Sequence, residues 1–161
     1  MTERSVTHST FTVERSYPSP KERVFAAFAD PVKKRRWFAE GQRGHIEELT
    51  MDFLVGGRER TRSRLAEDSP FPGTALTNNT ICLDIVPNDR IVMAYTMTLG
   101  ETRISSSQAT VEFLPAKAGT NLIFTEQAAF FPGADGARIR EEGWRELFEQ
   151  LAVELERHGP C

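Results

Sequence analysis

The spacing of apolar residues changes along the chain, and each change marks an element. Over 9–17, Phe11 and Val13 alternate with Thr10, Thr12 and Glu14, the period of two of a half-buried strand. Pro18 ends it. Ser19, Pro20 and Glu22 then stand where a helix places its cap, its first residue and its capping-box partner. Val24, Phe25 and Phe28 supply the apolar stripe of that short helix. Asp30 and Pro31 repeat the signal and open a second short helix through 32–36, ending near Trp37 and Phe38.

From Gly44 to about Leu114 no helical period occurs. Stretches 46–49, 51–55 and 58–65 predict strands, interrupted by Gly56 and Gly57, a pair that suits a turn or bulge. The proline-rich stretch 67–73 is loop. Strands over 76–86, 90–99 and 103–114 follow, parted by Pro87-Asn88-Asp89 and by Gly100, and Lys117-Ala118-Gly119 turns the chain into a strand over 121–130. Turns this short predict an antiparallel meander, because parallel pairing needs long crossovers.

The last segment, 135–158, is helical by period. Ile139, Gly143, Trp144, Leu147, Phe148, Leu151 and Leu155 recur at spacings of three and four. Arg138 with Glu142, and Arg145 with Glu149, suit i,i+4 pairs on the wet side, and Gly159-Pro160 is a stop signal. Gly143 costs about 1 kcal/mol against alanine inside a helix, so its place on the apolar face predicts close approach of a strand or a ligand. The predicted class is α+β: a helix-grip fold with two short helices after the first strand. A curved antiparallel sheet wraps the one helix long enough to cover it.

At 161 residues the chain suits one domain over 1–161, with 1–8 and 159–161 expected to fray. A net charge of −3 lacks the basic footprint of a nucleic-acid binder. No apolar run reaches the length of a bilayer span, and residues 1–10 lack a signal peptide's apolar core, so the expected location is cytoplasmic. Cys82 lies in an apolar run and Cys161 is terminal, which reads as a core thiol and a free end rather than a disulfide framework. His8, His45 and His158 lie far apart, none at ligand spacing from a cysteine. No metal and no cofactor are expected.

Candidate chemistry is sparse. No Ser/His/Asp order, phosphate loop or HExxH helix is present. The polar residues placed to face an inner cavity are His45, Arg58, Arg60, Asn78, Tyr95 and Glu126. Glu126 is in phase with Leu122 and Phe124, so a regular strand turns it inward, where desolvation would raise its pKa and suit it to general acid or base work. The more common alternatives are a bulge that turns it outward, or a structural pair with Arg58 or Arg60. Tyr95 shares a face with Ile91, Met93, Met97 and Leu99 and either orients a ligand or belongs to the core. Trp37 and Trp144 can close opposite ends of a cavity. The basic run Lys33-Lys34-Arg35-Arg36 reads as the solvated face of a short helix. The Pro70-Phe71-Pro72 loop is either a lid or a docked segment.

Several stretches resemble one family in the right order: 20–31, Trp37, Val55-Gly56-Gly57-Arg58, 84–92, Gly119-Thr120-Asn121-Leu122, Thr125-Glu126, and Gly143-Trp144 with Leu147 and Leu151. Together they resemble the START-like (SRPBCC) superfamily. Within it they resemble the bacterial family related to the C-terminal domain of the activator of the ninety-kilodalton heat-shock ATPase. That resemblance implies the helix-grip fold. For function it implies several classes, among them lipid carriers, cyclases, hormone receptors and co-chaperones. The leading expectation is binding of a small apolar or amphipathic ligand in a cavity of roughly 300–1,000 Å³. Its contacts would be Trp37, Met93, Tyr95, Met97, Phe124, Glu126, Gly143, Trp144 and Leu147. The alternatives are a protein-interaction module acting on a heat-shock ATPase, and a cyclase- or hydrolase-like enzyme using Glu126 with Tyr95. Catalysis is the least supported of the three, and a homodimer is compatible with all of them.

Overall fold

Seven strands form one antiparallel sheet in the computed structural model, which describes residues 5–40 and 44–157. The strands are β1 (Thr7–Tyr17), β2 (His45–Met51), β3 (Arg58–Arg64), β4 (Ala75–Val86), β5 (Arg90–Leu99), β6 (Thr102–Ala116) and β7 (Gly119–Phe130). Their order is β1-β7-β6-β5-β4-β3-β2. Strands β2 to β7 are therefore the expected meander, and β1 closes the far edge beside β7. Helices α1 (Lys21–Ala29) and α2 (Pro31–Lys34), with a π-helical turn over Arg35–Ala39, follow β1, and α3 (Ala137–Glu156) closes the fold. This is the helix-grip α+β architecture.

Local signals explain most boundaries, and three expectations are corrected. Asp30 Oδ1 accepts from the Val32 amide at 2.9 Å with Pro31 at the first helical position, as predicted. Ser19 does not cap α1: it is buried, and its carbonyl accepts from Thr120 Oγ1 at 2.7 Å. The stretch 51–55 is not a strand of its own. After Met51 the chain turns, and the Gly56 amide bonds to the Cys82 carbonyl at 2.8 Å. Gly57 is required there because an added Cβ would lie 2.0 Å from the Asp52 carbonyl oxygen. On α3, Arg145 pairs with Glu141 rather than Glu149, and Glu149 reaches Arg15 on β1.

The basic run is only in part a solvated face: Arg35 is exposed, while two of its neighbours turn to partners. Lys34 is buried, 3.1 Å from Glu59 on β3, with its ammonium 4.9 Å from the Phe38 ring centroid. Arg36 clasps the buried Glu154 of α3. The π turn is thereby held to both the sheet and the helix, which leaves Trp37 and Phe38 pointing into the core. Trp37 donates its indole N–H to the Ala27 carbonyl at 2.8 Å, as a buried indole should.

Packing is dense under α3. Phe124 and Trp144 stack with ring centroids 4.4 Å apart, and Phe148 meets Phe124 at 5.4 Å and Trp144 at 5.7 Å. Phe28 joins Trp37 to Phe113. The backbone of α3 runs nearest to β1, to the π turn and to α1. Strands β2 to β4 lie beyond it.

Candidate functional site

Alternation along β5, β6 and β7 turns Tyr95, Ser107 and Glu126 to the concave face, where α3 brings Arg140 and Trp144 above them. Glu126 is fully buried and keeps a regular register opposite Phe11 and Ala109, so no bulge turns it outward. Four donors meet its carboxylate. Tyr95 Oη donates at 2.7 Å and Trp144 Nε1 at 3.0 Å to Oε1; Ser107 Oγ donates at 3.0 Å and Arg140 Nη1 at 3.3 Å to Oε2. Arg140 also reaches Ser105 Oγ at 2.8 Å and holds Asp135 through two bonds at 2.8 and 2.9 Å. Its guanidinium lies 5.1 Å from the Phe130 ring centroid.

Burial pushes the Glu126 carboxyl above the ordinary glutamate range, and the Tyr95 hydroxyl, the Arg140 charge, Ser107 and Trp144 pull it partly back. Burial also pushes the Tyr95 phenol up, so it stays a neutral donor at physiological pH. With both carboxylate oxygens engaged and none of its surface reached by water, Glu126 offers a substrate no free lone pair. The network's direct work is mechanical: it ties β5, β6 and β7 to α3 through satisfied polar groups.

The expected ligand contacts separate into three groups. Trp37, Met93, Tyr95, Phe124, Glu126 and Trp144 are all buried and belong to a packed interior. Met97 and Leu147 are half-buried at the edge of that interior. Gly143 is corrected: it is exposed, and a Cβ added there would meet nothing within 4 Å. Ile139, placed on the apolar stripe, is 52% exposed, and its neighbour Arg140 takes the inward position.

Other candidates move as well. His45, Arg58 and Arg60 are exposed, and Arg60 pairs with Glu48, so neither arginine is the partner of Glu126. Phe71 is 56% exposed and is not docked. Asn78 does face inward. Its strand neighbours in register are Thr61 on β3 and Met97 on β5, and Leu49 of β2 lies opposite Thr61.

Arg140, Ser105, Ser107 and Thr61 escaped the sequence reading. Arg140 did carry a signal, since it stands four residues before Trp144 and eight before Phe148, in phase with the buried stripe. A charged residue on an apolar stripe is legible only once its partner is known. Among the described residues no group of three or more His, Cys, Asp or Glu is placed to hold a metal ion. No helix among them is long and apolar enough to cross a membrane.

The curved sheet gripping one long helix defines a START-like protein. Residues 18–156 match the family model described as Activator of Hsp90 ATPase homolog 1-like protein, and the chain belongs to that family. A solved structure from Rhizobium leguminosarum, of an uncharacterised protein, is 38% identical with a TM-score of 0.88, over 97% of this chain and 99% of that one. The Mll3558 protein from Rhizobium loti is 46% identical with a TM-score of 0.82, over 94% and 99%. CV1439 from Chromobacterium violaceum, 24% identical with a TM-score of 0.68 over 91% and 97%, shares the fold. No curated protein matches the chain.

Proposed function

We propose that this protein binds a small amphipathic molecule on its concave face, beyond the helix rather than beneath it. One observation carries the reading. The sheet is wider than α3 can cover, so Leu49 of β2 and Met97 at the end of β5 stay half-buried on the concave side, as does Leu147 on the facing edge of α3, next to a rigid aromatic wall. Apolar surface of that kind beside a few polar groups is what a small-molecule site requires. Met97 suits a lining that adapts to different shapes, Leu147 supplies the helix side, and Trp144 and Tyr95 form the inner wall. Met93, Trp37, Phe124 and Glu126 support that wall from behind. The tightly packed interior argues against a ligand seated directly under α3. Native mass spectrometry of the purified protein, followed by denaturing extraction, tests the reading. A stoichiometric amphipathic molecule supports it, while clean apo protein with no binding of apolar probes refutes it.

A second reading has its own observation. Leu54, Val55 and Leu83 are 52%, 57% and 45% exposed, and the bonds from the Gly56 amide to the Cys82 carbonyl and from the Cys82 amide to the Gly57 carbonyl bring them to one corner of the sheet. Exposed apolar residues gathered this way suit a protein partner, in line with the family's description. Stimulated ATP turnover by a purified ninety-kilodalton heat-shock ATPase, lost in Val55→Asp, would support it; unchanged turnover with the wild-type protein would end it.

A further inference from the structure

We infer that the protein self-associates through the outer edge of β1, two copies pairing antiparallel about a two-fold axis at Phe11 to form one continuous sheet. The sheet has two edges, and they are built differently. Strand β2 is only 7 residues long and is broken by a bulge between Ile46 and Glu48. It also carries Glu47 and Glu48, which meet Arg60, Arg62 and Arg64 of β3. Shortness, a bulge and charge are the devices that keep an edge from pairing with another chain. Strand β1 is neither short nor bulged. It runs 11 residues in unbroken register against β7 and contains no proline or glycine. Its inward charge, Arg15, is tied to Glu149 of α3. Since β7 is its only strand neighbour, the backbone groups along its other edge are open to a partner.

The side chains of β1 select a second copy of β1 as that partner. His8, Thr10, Thr12 and Glu14 are all exposed on the convex side of the strand. With the axis at Phe11, His8 faces the partner's Glu14, and Thr10 faces the partner's Thr12. An imidazole keeps an N–H to give a carboxylate in either protonation state, and two-fold symmetry makes each such pair occur twice. Facing threonines and polar pairs of complementary kind stabilise antiparallel neighbours. Among the described residues neither the His8 nor the Glu14 side chain has a partner within its own chain. An axis at Thr10 or Thr12 would set His8 against a threonine or a serine and lose the match. An unrelated strand would match only the backbone. Pairing at β1 also leaves β2, with the corner around Leu54, Val55 and Leu83, at the two outer ends of the assembly.

Sedimentation equilibrium of the intact protein tests this, run between about 1 and 500 µM to bracket the affinity of a small interface. The wild type should pass from monomer to dimer within that range. The double variant Thr10→Lys with Thr12→Lys sets two like-charged pairs across the axis and should weaken the dimer at least about tenfold. Thr10→Lys with Thr12→Glu places opposite charges at the same exposed positions and should dimerise at least as well as the wild type. That second variant also controls for damage to the fold, because it alters the same two sites. A wild type that stays monomeric throughout would overturn the inference. So would a dimer that survives the two lysines undiminished, since it would use another surface. Loss of the dimer in both variants would overturn the register that sets Thr10 against Thr12.

Discussion

Two halves of the same concave face are built differently. Beneath α3, strands β1, β5, β6 and β7 present Val13, Ile91, Val111, Phe113, Leu122 and Phe124, all buried to within 1%. Beyond it, β2, β3 and β4 present Leu49, Thr61, Ser63, Asn78 and Cys82, a mixture of small, polar and half-buried groups. The first half is filled like any protein interior. The second is covered only by α2 and the π turn, where Lys34 meets Glu59, so Thr61, Ser63 and Cys82 are buried while Leu49 and Asn78 stay half-buried. The polar network of Glu126 and Arg140 lies on the boundary and fastens the packed half to the helix.

The comparison breaks most visibly where packing is removed. Phe148→Ala, at a side chain with no exposure, should cost about 4 kcal/mol through lost burial and the cavity left behind. Met97→Ala, at the open edge, should cost only about 1 kcal/mol, in proportion to its partial burial. Urea unfolding of both variants gives the contrast directly, and equal losses would mean that the two halves are packed alike.

The boundary is tested next. Glu126→Ala leaves Tyr95, Ser107 and Trp144 without their buried acceptor and Arg140 with Asp135 as its only anion, and should destabilise by about 3 kcal/mol. A single substitution costing less than 1 kcal/mol would show that the pair does not pin the helix.

Acid titration sharpens the same point. The folded-state pKa of Glu126 is raised by burial, so between the ordinary glutamate value and the raised one the folded chain holds a proton that the unfolded chain has released. The group's favourable contribution is complete below the ordinary value and declines as pH rises through that window, by about 1.4 kcal/mol for each unit of pKa. Glu126→Gln should therefore flatten the fall of stability with pH relative to the wild type. An identical slope in the two proteins would contradict the shift.

The smallest effect is expected at Gly143. Because a Cβ there meets nothing, Gly143→Ala should stabilise by about 0.5–1 kcal/mol through helix propensity, visible as a higher melting temperature. A loss would indicate a need for glycine that the free chain does not display.

Much of the fold was legible because period and punctuation are local. The alternation around Phe11 and Val13, the Asp30-Pro31 start, the turns at Asn88 and Gly119, and the stripe of Trp144, Phe148, Leu151 and Leu155 each stand in a few neighbouring residues. The inward turn of Glu126 was legible for the same reason. Its partner was not: Arg58 and Arg60 stand on a neighbouring part of the sheet, while Arg140 lies on a helix whose apolar stripe is complete without it. Lys34 misled in the same way, since a run of four basic residues reads as solvated until Glu59 and three aromatic rings enclose one of them.

What the sequence by itself determined is the order and kind of the elements and the side of the sheet each strand turns inward, because those follow from backbone period and turn chemistry. Tertiary structure alone decided how far α3 reaches across the sheet. From that reach follow which inward residues become fully buried core and which, like Leu49 and Met97, stay half-buried. The physical reason is that cover is a relation between distant segments, and a residue's own neighbours in the chain carry no record of what will lie above it.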